Sequence, residues 1–334
     1  MLGPDTLLRE RGTTREVGEY VVGVAFASGL AGFALGDGTV RIAGEGEWAR
    51  IEAHDGAVLA FAADCQGGWI TGGDDGAFRR VQPGGEVTEL GRFGSKWVEQ
   101  VAAHPAALAC AVGKVLHVFN PQGGKIKSLE HPSSVTGLAF DAKGKRIAAS
   151  HYNGCSLWFV GAKTDTPRVL EWKGSHTGVA LHPGGEAVVT AMQESALHGW
   201  RLPDGQHMRM SGYPSKTESL SFSRAGKWLA SSGAESVVLW PFFGGGPMGK
   251  PPLELAGGDG VLCTRVAFQG QQDLVAAGFS DGLVVIADVA SERILPVAPP
   301  GHGSVTALAW SADGSRLAFG TESGFAALFD LSKR

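Results

Sequence analysis

Short apolar triplets mark the chain at a steady interval. Val24-Ala-Phe26, Leu59-Ala-Phe61, Val101-Ala-Ala103, Leu138-Ala-Phe140, Val179-Ala-Leu181, Leu220-Ser-Phe222, Val266-Ala-Phe268 and Leu308-Ala-Trp310 recur every 35 to 46 residues. Each opens the same order of elements. In the last unit an apolar strand at Val305–Trp310 meets the polar turn Ser311–Ser315. A second strand at Arg316–Gly320 and the turn Glu322-Ser-Gly324 then lead to a third strand, Phe325–Asp330. A fourth strand follows in most units, as at Lys125–Leu129 and Gln206–Met210. Val58–Ala63 and Leu283–Ala287 are nearly unbroken apolar runs. A sheet with one wet face alternates apolar and polar residues, and burial on both faces removes that alternation.

The mean interval of about 41 residues suits a four-stranded propeller blade. The pattern therefore predicts an all-β fold: a single closed β-propeller of eight four-stranded blades. The count falls to seven if one unit is atypical, and unit 3, with Ala103 in place of an aromatic, is the weakest. The expected blades are 18–53, 54–94, 95–130, 131–173, 174–211, 212–256, 257–300 and 301–331. The last unit is too short for a fourth strand, and Thr13–Val17 is expected to supply it and close the ring. Asp37-Gly38 and Asp281-Gly282 mark hairpins, read as type I′ turns with both central residues at positive φ. Asp74-Asp75 beside Gly76 is read as the matching turn of unit 2 rather than as an acid–base pair.

Composition narrows the function classes. The chain has 51 glycines among 334 residues, 43% hydrophobic and 19% charged residues. That balance supports a core and many tight turns and argues against coiled coils and disordered tails. A net charge of −4 offers no basic field for nucleic acid. No apolar run is long enough for a membrane span, and the N-terminal stretch lacks the features of a secretory signal. Cys65, Cys110, Cys155 and Cys263 are widely spaced, with no C-x-x-C pair, which suits reduced thiols and a cytoplasmic protein. No linker divides the chain, so residues 1–334 are read as one domain.

The pattern resembles the WD-repeat β-propeller family over residues 13–331. The matching stretches include His131-Pro-Ser-Ser-Val-Thr-Gly-Leu-Ala-Phe140, Gly301-His302 through Trp310, and Asp37-Gly-Thr-Val-Arg-Ile42. No tryptophan is followed by aspartate, and Gly-His occurs once. Trp158, Trp200 and Trp240 hold the third-strand tryptophan position. The family's buried His–Ser–Asp–Trp set is matched in part by His131, Ser150, Asn153 and Trp158. The resemblance implies structural roles for these residues and for Asp37, Asp75, Asp281 and His302. It implies a non-catalytic scaffold that binds a protein or peptide and needs no cofactor, with no nucleic acid or membrane partner.

Two constellations are candidates for chemistry. His131, His151 and His176, from adjacent units, are the one workable metal cluster, although zinc ligands must nearly touch. Hydrogen bonding within a blade is the preferred reading. This leaves a metal-handling or enzymatic propeller, or a structural subunit of a larger assembly, as alternatives. His104-Pro105 and His182-Pro183 are read as turn starts. Gly-x-Ser-x-Gly, phosphate-loop and His-Glu-x-x-His motifs are absent. The stronger candidate is a protein-binding arc on the loops that enter units 3, 5 and 6 and on the unit 4 hairpin. It comprises Lys96, Trp97, His151, Tyr152, Asn153, Trp172, Lys173, Tyr213 and Lys216. Exposed aromatics with cations are common in binding hot spots.

Overall fold

A computed structural model describes residues 3–44 and 46–333; of the expected 1–334 domain, residues 1, 2, 45 and 334 lie outside them. The chain forms two compact units, the first of residues 1–35, 41–50 and 212–334, the second of residues 36–40 and 51–211.

The first unit begins with a helix the strand pattern did not predict, α1 (Pro4–Arg11). Pro4 suits a first helical turn, where its missing N–H costs no bond. Leu7 and Leu8 are buried beside Val297, Phe325 and Phe329. Strand β1 (Gly12–Glu16) follows. β2 (Val21–Ala27), β3 (Leu30–Leu35), β4 (Thr39–Ile42) and β5 (Ala49–Glu52) then make a sheet in chain order.

The second unit holds β6 (Val58–Ala63), β7 (Trp69–Gly73), β8 (Ala77–Val81) and β9 (Val87–Arg92) in one sheet. A second sheet contains β10 (Gln100–His104), β11 (Ala107–Val112), β12 (Val115–Phe119) and β13 (Lys125–Glu130). A third contains β14 (Gly137–Phe140), β15 (Arg146–Phe159), β16 (Arg168–Leu181), β17 (Ala187–Met192), β18 (Ala196–Arg201) and β19 (His207–Met210). Returning to the first unit, β20 (Leu220–Phe222), β21 (Trp228–Ser231), β22 (Ser236–Pro241) and β23 (Leu253–Gly257) form a sheet. β24 (Cys263–Phe268), β25 (Leu274–Phe279), β26 (Val284–Asp288) and β27 (Ile294–Ala298) form the next. β28 (Val305–Trp310), β29 (Arg316–Thr321) and β30 (Phe325–Asp330) are completed by β1.

These are antiparallel four-stranded blades of an all-β propeller fold, with one correction to their number. Among the described residues there are seven sheets, six of four strands and one of six, not eight separate blades. The suspected weak unit is regular, since β10–β13 pair in order. The merger instead joins units 4 and 5, because β15 and β16 are each 14 residues long. β15 pairs with β14 through residues 147–150 and with β16 through 152–157, passing Asn153 and Gly154 at positive φ. β16 pairs with β15 through 168–175 and with β17 through 176–181. The expected boundary at residues 173/174 therefore falls inside an unbroken strand.

The outer strand from the N-terminus is present. β1 pairs antiparallel with β30, from Gly12 opposite Phe329 to Glu16 opposite Phe325, one residue earlier than the predicted Thr13–Val17. Burial also refines the strand pattern. β7, β11 and β17 are buried along their whole length, whereas the apolar run of β6 is largely half-buried.

The hairpin turns are not type I′. In Phe279-Ser-Asp-Gly-Leu283, Gly282 N–H donates to Phe279 O at 3.1 Å and Phe279 N–H donates to Leu283 O at 2.9 Å. Of the Asp-Gly pair, only Gly282 has positive φ, at 97°. This is a three-residue loop, a type I turn closed by a left-handed glycine. Aspartate caps the loop: Leu283 N–H donates to Asp281 Oδ1 at 3.0 Å, and Thr39 N–H does the same to Asp37 Oδ1.

Candidate functional site

Buried polar side chains tie the loops before β6, β14 and β20 to the strands behind them. In the second unit, His54 Nδ1–H donates to Asp75 Oδ1 at 2.9 Å, leaving Nε2 to accept from the Thr71 hydroxyl at 2.8 Å. Burial pulls the His54 pKa below the usual imidazole range, although Asp75 opposes that shift. Asp75 also accepts from the Ala77 and Asp55 amides, so one carboxylate caps the turn and holds the loop. The sequence pattern assigned Asp75 to the turn; the structure adds His54 as its partner and Thr71 as the partner of His54.

In the merged sheet, Trp158 Nε1–H donates to His131 Nε2 at 3.0 Å, and His131 Nδ1 faces Lys114 O at 3.3 Å. Burial and the neighbouring His151 lower the His131 pKa to about 4. Ser150 and Asn153 lie outside this set. Ser150 Oγ meets Thr136 Oγ1 at 3.2 Å, and Asn153 Oδ1 accepts from Gly174 N–H at 3.1 Å.

Tyr213 overturns its expected place on the surface. It is 8% exposed. Trp240 Nε1–H donates to its hydroxyl at 2.7 Å, and that hydroxyl lies 2.5 Å from Ser231 Oγ. Burial raises its pKa to about 12. Tyr213 thus does in this sheet what His131 does in its own. Both pairs span 27 residues, a spacing from which the role was readable. His302 differs again, stacking on Phe325 with ring centres 3.8 Å apart.

The histidines of the metal alternative are engaged separately. His131 accepts from Trp158, His151 bonds Tyr152 O and Ser156 Oγ, and His176 bonds Trp172 O and Thr190 Oγ1. Among the described residues, no group of three or more His, Cys, Asp or Glu side chains could hold a metal ion. His104 and His182 start their turns as expected, accepting at Nδ1 from Ala106 and Gly184 N–H.

The remaining arc residues divide by exposure. In the second unit Trp97 is 56% and Tyr152 57% exposed, and Lys96, Asn153 and Lys173 are exposed or half-exposed as well. His151 is buried. Trp172 is half-buried and stacks on His198 at 4.0 Å, with planes 12° apart. Lys216 belongs to the first unit, where it pairs with Glu218 at 3.3 Å.

Comparison with known proteins agrees with this repeated architecture. Residues 266–334 match the family described as anaphase-promoting complex subunit 4 WD40 domain. The chain is 22% identical over 293 residues to Autophagy-related protein 16 of Arabidopsis thaliana, covering 83% of this chain. Over residues 266–334 the chain is similar to a WD40 domain, and its fold is a β-propeller of antiparallel sheets. It spans 56% of the length of that relative. The crystal structure of the computationally designed Ika8 protein shares the fold at a TM-score of 0.78 and 19% identity, covering 95% of this chain and 98% of that one.

The buried sets hold the loops in place, and Trp97 and Tyr152 are left exposed. No helix among the described residues is long and apolar enough to cross a membrane. All four cysteines are free thiols, with Cys110, Cys155 and Cys263 buried.

Proposed function

We propose that the chain is a non-catalytic scaffold, a single WD-repeat domain in the cytoplasm, that binds a protein or peptide through an exposed surface of its second compact unit. The contact residues are Lys96, Trp97, Tyr152, Asn153, Trp172 and Lys173. One observation carries the proposal: Trp97, on the segment before β10, and Tyr152, within β15 of the following sheet, are more than half exposed. Large aromatic side chains left in water are the groups whose burial yields most on association. The loops beside them are fixed by buried hydrogen bonds, which lowers the ordering cost of binding. The free thiols support a reducing compartment.

Affinity purification with quantitative mass spectrometry tests this. A partner recovered with the wild-type chain is expected to fall at least about tenfold with Trp97→Ala/Tyr152→Ala, at an unchanged melting temperature. Equal recovery of every stable partner by the double variant would refute the assignment.

A further inference from the structure

Next to the Trp97–Tyr152 surface, the second unit has a polar pocket of about 350 Å³ lined by Glu99, Gln100, Ser134, Val135, Thr136 and Thr177. Its position follows from the chain. Glu99, which lines it, lies two residues after Trp97. Tyr152 N–H donates to Ser133 Oγ at 2.9 Å, beside Ser134. Tyr152 also pairs with Ser175, two residues before Thr177.

The lining is rich in acceptors. Thr136 Oγ1–H is directed to backbone oxygens of Ser150 and His176, and Thr177 Oγ1–H to Ala191 O. Both hydroxyl oxygens therefore keep lone pairs to offer. Glu99 is the one charged lining residue, and its carboxylate makes no hydrogen bond or ion pair among the described residues. Lys96 and Lys173 flank the surface but do not line the pocket. An anion would meet a carboxylate with no cation to offset it. A planar cation with several N–H donors meets the Thr136 and Thr177 hydroxyl oxygens and the Glu99 carboxylate.

We propose that this pocket receives the guanidinium of an arginine in the bound peptide, paired with Glu99. The proposal rests on the binding surface described above and adds the side chain it recognises. The test titrates the 15N-labelled full chain with Ac-Gly-Arg-Gly-amide, and with its lysine and citrulline counterparts, following backbone amide resonances. The arginine peptide is expected to give saturable shifts at residues 97–100, 134–136 and 177. Association is expected to weaken about fivefold or more with citrulline or in Glu99→Gln. A smaller loss is expected with lysine, which keeps the charge that citrulline lacks, and lysine association as tight as that of arginine overturns the guanidinium assignment. Absent or non-saturating shifts at these residues, or equal shifts with citrulline, overturn the pocket. If these fail while Trp97→Ala/Tyr152→Ala still loses its partner, the arginine pocket is wrong and the scaffold proposal stands. Saturable arginine binding with the partner retained by the aromatic variant upholds the pocket and overturns the aromatic surface instead.

Discussion

Tyr213→Phe removes one oxygen atom and separates two accounts of that residue. In the structure the hydroxyl accepts from Trp240 Nε1–H at 2.7 Å and lies 2.5 Å from Ser231 Oγ, which itself reaches Val238 O at 3.3 Å. Phenylalanine preserves the packed ring but leaves the indole N–H, on a tryptophan 9% exposed, without its acceptor. An unsatisfied buried donor costs about 1–3 kcal/mol. Ser231 retains Val238, so its share is small. The expected loss is about 2 kcal/mol, read from equilibrium urea unfolding followed by tryptophan fluorescence and circular dichroism. Tyr213→His should recover part of it, because His131 accepts from Trp158 over the same 27-residue spacing. A phenylalanine variant within about 0.5 kcal/mol of wild type would refute the buried-acceptor role.

Deleting residues 1–20 should lower the melting temperature, since β1 pairs along β30 and α1 buries Leu7 and Leu8; an unchanged midpoint would contradict this. His131 has a folded pKa of about 4, against about 6.5 in an unfolded chain. It is neutral in both states above pH 6.5. Below that the unfolded chain takes up the proton first, so stability falls as pH drops from about 6.5 to 4, by up to about 3 kcal/mol in total. Denaturant titrations across this window should show a slope shallower by nearly one proton in His131→Gln. Gly76→Ala should cost about 1–3 kcal/mol of unfolding free energy, because Gly76 has a φ of 76° and an added Cβ would collide with the Gly94 carbonyl oxygen.

The repeat was legible because strand burial leaves apolar runs at a fixed interval, and β1 was legible because the last unit lacked a fourth strand. The fusion of units 4 and 5 was hidden. β16 crosses the expected boundary through Lys173-Gly174-Ser175 with no proline, and glycine in a strand reads as a break until its pairing is known. α1 escaped notice because two leucines in an eight-residue segment set no helical period. The turn type was misjudged because Asp-Gly suits two loop geometries, and only backbone angles separate a type I′ turn from a type I turn with a left-handed glycine. At the candidate site, Trp97 and Tyr213 lie on loops as expected, whereas Tyr152 and Trp172 fall inside the long strands β15 and β16, and exposure depends on neighbours distant in sequence. Trp97 faces water, Trp172 leans on His198, and Tyr213 turns inward to a tryptophan 27 residues on. The His54–Thr71–Asp75 set was recoverable in principle, since its 17- and 21-residue spacings approach those of Ser150 and Asn153 from His131.

Site-specific photo-crosslinking tests most directly whether the exposed surface of the second unit contacts a partner. A benzophenone amino acid placed at Lys96 or Lys173 sits beside the proposed surface without replacing Trp97 or Tyr152. One placed at Ile126, 48% exposed on β13, serves as the control. The account predicts the same partner adduct from positions 96 and 173 and none from 126. Adducts from position 126 alone, or equally from all three, would contradict it.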